Sequence, residues 1–293
     1  MAVQTEPIPG VKVLVKADGT IIGGQDDATL NLDINSNQVN TKTNYGWQEM
    51  LQALIGWSVD VSGIYFEGSD TPTATEGFGA SLGLRDVGGT SYSTTPALSS
   101  LTITLNLGTY ERDNQDHGGY VVNAPDLRNA TVSADIDYTD PNASNAAAVK
   151  KVLQAALEDR SDLEFRASFG DEGSTFTGTV MPVPGSISAS AGNDAEFSFD
   201  LESQGAITNN VANADLGLTA LLDAFFADPV TKLSTQMGVI MDGSDSFTAD
   251  YTKLTGDVWP GNIEITIPAN GEITTSMSLP NASDLSMETV PSA

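Results

Sequence analysis

The feature that most constrains this chain is that it contains itself. Shifted by 73 residues, positions 30–66 match 103–139 without a gap, in chemical type more than in letters. Leu30, Leu32 and Ile34 meet Ile103, Leu105 and Leu107, Gly46-Trp47 meets Gly119-Tyr120, and Leu54 meets Leu127. The strand-like WSVDVSGIYF of 57–66 meets ATVSADIDY, with Ser58, Val59, Val61 and Tyr65 opposite Thr131, Val132, Ala134 and Tyr138. Periodicity repeats with the letters, as two copies of one structural unit require.

The remaining pieces repeat as well. VLVKADGTII at 13–22 resembles LGLRDVGGTSY at 82–92, each an apolar strand, a Gly turn and a return strand. Val149, Val152, Leu153, Ala156 and Leu157 fall on one face of a helix, and Leu218, Leu221, Leu222, Phe225 and Phe226 repeat that spacing. Each helix leads through a polar turn to a closing hairpin, at 186–203 and 262–279, aligned at an offset of 76. Val180 and Pro182 likewise meet Val258 and Pro260.

The order is front, front, back, back. The simplest chain path inserts a second domain, 82–207, into a first one made of 1–67 and 211–283. GSDTPTATEGFGAS at 68–81 is then a linker, and 284–293 a flexible or assembly-ordered tail. A swapped pairing of the halves satisfies the same order. Gly63 breaks the alternation of 57–66, where the second copy alternates cleanly through Ala130, Val132, Ala134, Ile136 and Tyr138. A Gly inside a strand marks a bulge or a close backbone approach, and apolar residues on both sides of it point to burial against a neighbouring domain or subunit. Trp57, Ile64 and Phe66 are the candidate contact residues there. A strand that simply runs on into a shared core is the competing reading.

Composition sets the class of partner. Thirty-nine acidic against twelve basic residues give a formal charge of −27, and no basic cluster stands anywhere to neutralise phosphates. Such a surface repels nucleic acid so that it slides past, and it also keeps a protein soluble in strong salt, as in a halophilic host. Both readings stand. Without cysteine, disulfides, thiolate metal sites and cysteine nucleophiles are excluded. The N-terminal MAVQTEPIPGVKV has no basic region followed by an apolar run, and no membrane span is expected.

Chemistry is sparse. Gly79-Ala80-Ser81-Leu82-Gly83 has the spacing of a hydrolase elbow but lies in a Gly/Thr-rich stretch, and the one histidine, His117, precedes the usual order of a triad. The Asp-rich turns at 242–250 and 169–176 offer oxygens to a weak calcium or other cation site, though neither has helix-loop-helix spacing and plain turns account for them. Trp47, Trp57 and Trp259 read as core or interface anchors. Asn129, Asn142 and Asn281 open sequons that matter only in a glycosylating host.

The succession of a strand hairpin, GGQDDATLNLD, Thr41-Lys42-Thr43 before Gly46-Trp47, and WSVDVSGIYF resembles the front half of phage major tail proteins, the tail tube subunits. The helix, LEFRASFGDEGSTFTGTV, a hairpin and AEFSFDLESQGAIT resemble their back half. The resemblance implies a mainly β fold, a β-sandwich or rolled antiparallel sheet with a flanking helix, present here in two copies. It implies no enzymatic activity, no cofactor, and subunits that form stacked rings around passing viral DNA in a virion tail assembled in the host cytoplasm. Tape measure and terminator or baseplate proteins are the implied partners, and no membrane.

Two copies per chain imply a homotrimeric ring with pseudo-sixfold symmetry. Asp33, Asn35, Ser58, Asp60, Ser133, Asp135 and Asp137, on alternating polar faces, are the candidate lumen-lining residues. A tube of a contractile secretion or bacteriocin-like system shares these features. An acidic extracellular hydrolase or carbohydrate-binding β-protein stands further off, since no convergent constellation supports it.

Overall fold

The computed structural model describes residues 13–22, 24–39, 49–67, 73–74, 80–95, 98–112, 122–138, 147–170, 173–189, 195–211, 216–240, 246–249 and 251–291. Trp47, His117, Asn142 and most of the Asp-rich turn at 242–250 lie outside them.

The chain is mainly β, with antiparallel sheets and few helices. Its first part runs β1 (Val13–Ala17), β2 (Thr20–Ile21), β3 (Gln25–Val39), β4 (Glu49–Ile64), β5 (Phe66–Glu67) and β6 (Thr73–Ala74). Then come β7 (Ser81–Asp86), β8 (Ser93–Thr94), β9 (Leu98–Arg112), β10 (Val122–Asp137) and the helix α1 (Ala147–Leu153), which widens into a π-turn over Gln154–Asp159. The back part holds β11 (Leu163–Phe169), β12 (Ser174–Ser188), β13 (Glu196–Ser203), β14 (Thr208–Asn210), α2 (Leu216–Phe226) and β15 (Leu233–Val239). It closes with β16 (Thr252–Val258), β17 (Asn262–Pro268), β18 (Thr274–Pro280) and β19 (Ser286–Thr289).

One sheet has the order β19-β16-β15-β1-β2, a second runs β3-β4-β18-β17-β9-β10-β13-β12-β11-β7-β8 with β14 beside β12, and β5 and β6 form a small third. The pairing register repeats at the spacing of the sequence match. Leu30 faces Val59 as Ile103 faces Val132, and Asn31 faces Ser58 as Thr104 faces Thr131. Even the irregularities repeat: Asp26 and Ser99 are the extra residues of one bulge, and Asn35 and Gly108 sit in the other. Alternation is what locks such a register, because a one-residue slip would turn every buried side chain to water.

Three expectations are corrected. The closing hairpins align at 78, not 76: Thr275 faces Gly63 as Phe197 faces Ile136. Side-chain parity survives a two-residue error, so the sequence pattern was blind to it. Leu157 is exposed while Ala155 is buried, because the π-turn delays the helix and rotates Leu157 off the apolar face. The C-terminal segment is no free tail, since Ser286–Thr289 pairs with β16. The 68–81 stretch also carries a short ladder, Phe66 with Ala74 and Glu67 with Thr73.

Strand β12 runs unbroken through both layers, pairing β11 over its first half and β13 over its second. At the corresponding place Trp259-Pro260-Gly261 divides β16 from β17 and sends them into different sheets. Proline and a close approach of Gly261 to Ser278 and Pro280 make that corner, and the Trp259 indole donates to the Asn123 carbonyl at 2.7 Å. Helix α2 lies over β1, β2 and β15, and α1 over β7, β8 and β12.

Gly63 is a close approach. Its Cα faces the Gly24 carbonyl so tightly that a Cβ would collide with backbone, and the next amide, Ile64 N, donates to that carbonyl at 2.9 Å. Beyond it Tyr65, 1% exposed, packs edge-on against Phe169 at 5.8 Å, and Phe169 stacks on Phe176. Past β4 the chain therefore stays in the same core, with Tyr65 set against β11 and β12. Gly63→Ala is expected to cost about 1–3 kcal/mol through backbone displacement, read as a lower denaturation midpoint.

At the β7–β11 end, Arg85 Nε donates to Glu164 at 2.6 Å and the Gly88 amide donates to the same carboxylate at 3.1 Å. The Gly88 amide foremost, then Arg85, holds the Glu164 carboxyl below its ordinary value. A depressed carboxylate stabilises the fold above the ordinary range and ceases to as pH falls through its lowered value. The melting-temperature gap between the parent and Glu164→Gln should therefore be open at neutral pH and close on acidification below about pH 4.

Candidate assembly edges and channel face

The long sheet buries one face under the chain's own second layer and helices and leaves the other polar. Rows of directly opposed residues run across its middle strands and end against apolar residues at Met181, Val183 and Ile64. One runs Thr29, Asp60, Ser278, Asn262, Asn106, Asn129; the next runs Asp27, Ser62, Ser276, Glu264, Thr104, Thr131, Glu202. A third passes through Thr266, Thr102, Ser133 and Asp200. In these rows every side chain is a hydroxyl, amide or carboxylate. Hydrogen bonds between strands hold the carboxylates in place: Asn31 Nδ2 to Asp60 at 2.6 Å, Ser100 Oγ to Asp135 at 2.7 Å, and Ser133 Oγ to Asp200 at 2.6 Å. A shallow open trough lies over Asp27, Thr29, Asp60, Ser62 and Asn262.

Asp33, Ser58, Asp60, Ser133, Asp135 and Asp137 all stand on this face by strand parity. Asn35 is in β3 at its bulge, with its side chain outside the described residues. Ile64 ends the same face, half-buried opposite Thr274. Phe66 is in the β5–β6 ladder, its side chain likewise undescribed. Trp57 is 4% exposed and wedged between the layers, its ring against Gly256 of β16 and its Nε1 donating to the Ser283 carbonyl at 2.9 Å. Ser81 opens a strand and pairs with Ser168, so no strand-turn-helix elbow surrounds it. Asn281 is buried and accepts from Asn123 at 2.6 Å, which removes it as a sugar acceptor in the folded chain.

Sequence reasoning missed the joint inside the sheet. Strand β17 pairs with β9 over seven residues, from Asn262 opposite Asn106 to Pro268 opposite Ser100, and so welds the two strand groups edge to edge. Matching pairs of edges remain at the ends. Among the described residues nothing pairs with the outer edge of β3, or with residues 181–188 of β12 on the side away from β13. The signal was present in the sequence, since β3 matches β9, but which copy is covered is a question of tertiary neighbours.

Among the described residues no group of His, Asp and Glu could hold a metal ion, and no helix is long and apolar enough to cross a membrane. Fold and faces together define an antiparallel β-sandwich protein with flanking helices in which, among the described residues, β3 and the second half of β12 keep an unpaired edge. No protein-family model and no curated protein matches the chain. Among solved structures it is similar to a chain of the tail of an empty GTA particle computed with helical refinement in C6 symmetry: 20% identity and TM-score 0.37, over 45% of this chain and 95% of that one. It is also similar to a chain of the virion of a native gene transfer agent particle: 13% identity and TM-score 0.24, over 70% and 100%. At such scores the superposition adds nothing to what the strand register says.

Proposed function

We propose that this chain is the structural subunit of a viral tail tube, without enzymatic activity, assembling edge to edge into rings that stack around a passing genome. The observation that carries the reading is the internal joint: β17 and β9 already do within one chain what two open edges are left to do between chains. Exposed strand edges are an aggregation liability that proteins normally cover, and ring closure consumes them. The resemblance of the front and back halves to phage major tail proteins supports the same reading.

In this reading residues 82–207 are a second copy of the fold inserted into the first, which comprises 1–67 and 211–283. The repeated register and bulges support that division. Three chains then form a ring with pseudo-sixfold symmetry, and the acidic rows line the bore, where carboxylates and hydroxyls oppose adhesion of a polyanion. Tape measure and terminator or baseplate proteins at the tube ends follow from the resemblance, as does a place in the virion tail. Negative-stain microscopy of the purified protein tests the proposal. Rings or hollow rods are expected, and a protein that stays monomeric as concentration and salt are raised would sink it.

A further inference from the structure

Building on the tube reading, we propose that β12 of one chain joins β3 of the next in the register of the internal β17–β9 joint, placing Ile187 opposite Leu30 and Ser188 opposite Thr29 of the neighbouring copy. The equivalences come from pairing alone. Leu30 and Thr29 hold in β3 the places of Ile103 and Thr102 in β9, each 73 residues on and each with the matching partner in the following strand. Ile187 holds the place of Ile265: Ile187 faces Phe197, which faces Ile136, and Ile265 faces Thr275, which faces Gly63, again 73 residues apart. Inside the chain Ile265 faces Ile103, and Thr266 faces Thr102.

What differs between the copies is cover. Leu105 and Ile265 are 0% exposed, whereas their counterparts Leu32 and Ile187 are 56% and 53% exposed. At the free edges Leu32 and Ile187 are thus apolar and open, and Leu30, the counterpart of buried Ile103, is only half-buried. A second copy of this chain is the occupant whose edges match both in shape and in register, with Ile187 and Leu30 on the core face and Ser188 and Thr29 continuing the polar rows.

The same register permits a closed ring. The row from Asp27 through Ser62, Ser276 and Glu264 reaches Thr104, whose β3 counterpart is Asn31, four residues beyond the start. Four strands therefore advance the pairing by four residues. With a rise of about 3.3 Å per residue and about 4.8 Å between strands, that shear sets a strand tilt of about 35°, at the lower end of the closed-barrel range. It is also the tilt of parallel barrels whose shear equals their strand number. Each chain contributes eight strands to such a barrel, so three chains enclose a backbone diameter of about 45 Å, wider than the bores that 16 to 18 strands already open to water.

Cysteine pairing tests this cleanly, because the chain has no cysteine of its own. Leu30→Cys protein is mixed with Ile187→Cys protein, and Thr29→Cys with Ser188→Cys, under an added mild oxidant. Directly opposed residues lie within disulfide reach, while in a single chain the two positions are separated by seven strand spacings, about 34 Å along the sheet, so any bond is between chains. Covalent dimers on a non-reducing gel should exceed those of the off-register mixture Leu32→Cys with Ile187→Cys by about tenfold. Equal yields would overturn the register. Rings or rods without in-register cross-links would remove this joint and leave the tube reading; in-register dimers that never give rings or rods would keep the joint and remove the tube. A protein that remains monomeric removes both.

Discussion

In the proposed tube, exchanging Asp60, Asp135 and Asp200 for lysine should give an assembly that holds duplex DNA where the parent is expected to leave it in solution. Each exchange moves the charge by two units, and the three sites lie on β4, β10 and β13, distributed along the polar face of the long sheet. Their present partners, Asn31, Ser100 and Ser133, stay at a solvated surface, so folding should change little. Binding gained this way is electrostatic: with about six phosphates engaged, affinity should fall by about 1,000-fold between 50 and 200 mM salt. Co-sedimentation of short duplexes with the assembled protein at the two salt levels reads it directly. The matching asparagine exchanges, which remove charge without adding cations, should bind no DNA. Lysine-bearing assemblies that also leave DNA in solution would mean that the acidic rows do not face the bore.

Trp57→Ala is expected to cost about 3–5 kcal/mol of the isolated subunit's stability. The indole fills the space between the two layers, touching Gly256, which has no side chain because the ring occupies its place. It also ties the segment after β18 to β4 through the Ser283 carbonyl. Truncation leaves a cavity under β16 and an acceptor without its donor, two separate costs. Trp57→Phe, which keeps a ring but no donor, should fall between the two. Urea unfolding of dilute monomer reads the effect as a lower midpoint at unchanged slope. The contrast with a subunit-contact role is sharp: a residue placed there would weaken ring formation and leave monomer unfolding where it was.

The strands, both amphipathic helices, the Gly turns and the doubled order were legible in the sequence because each is a local pattern of side chains. The 73-residue match carried even the register of β3 on β4, since alternation forbids a slip by one. It does not carry a slip by two, which is why the sequence pattern puts the closing hairpins at an offset of 76 where the pairing gives 78. Six of the seven polar candidates were traceable to one face for the same reason of parity; the seventh, Asn35, stands at a bulge where parity fails.

Hydrophobic period thus determined which elements exist and which side of each is buried. Only the tertiary structure decided which edges meet: that β17 covers β9 while β3 stays open, that β16 and β17 part at Pro260, and that Ser286–Thr289 joins β16. Backbone hydrogen bonds are the same for every strand, so sequence alone does not name a strand's outer neighbour. That choice falls to packing between residues far apart in the chain.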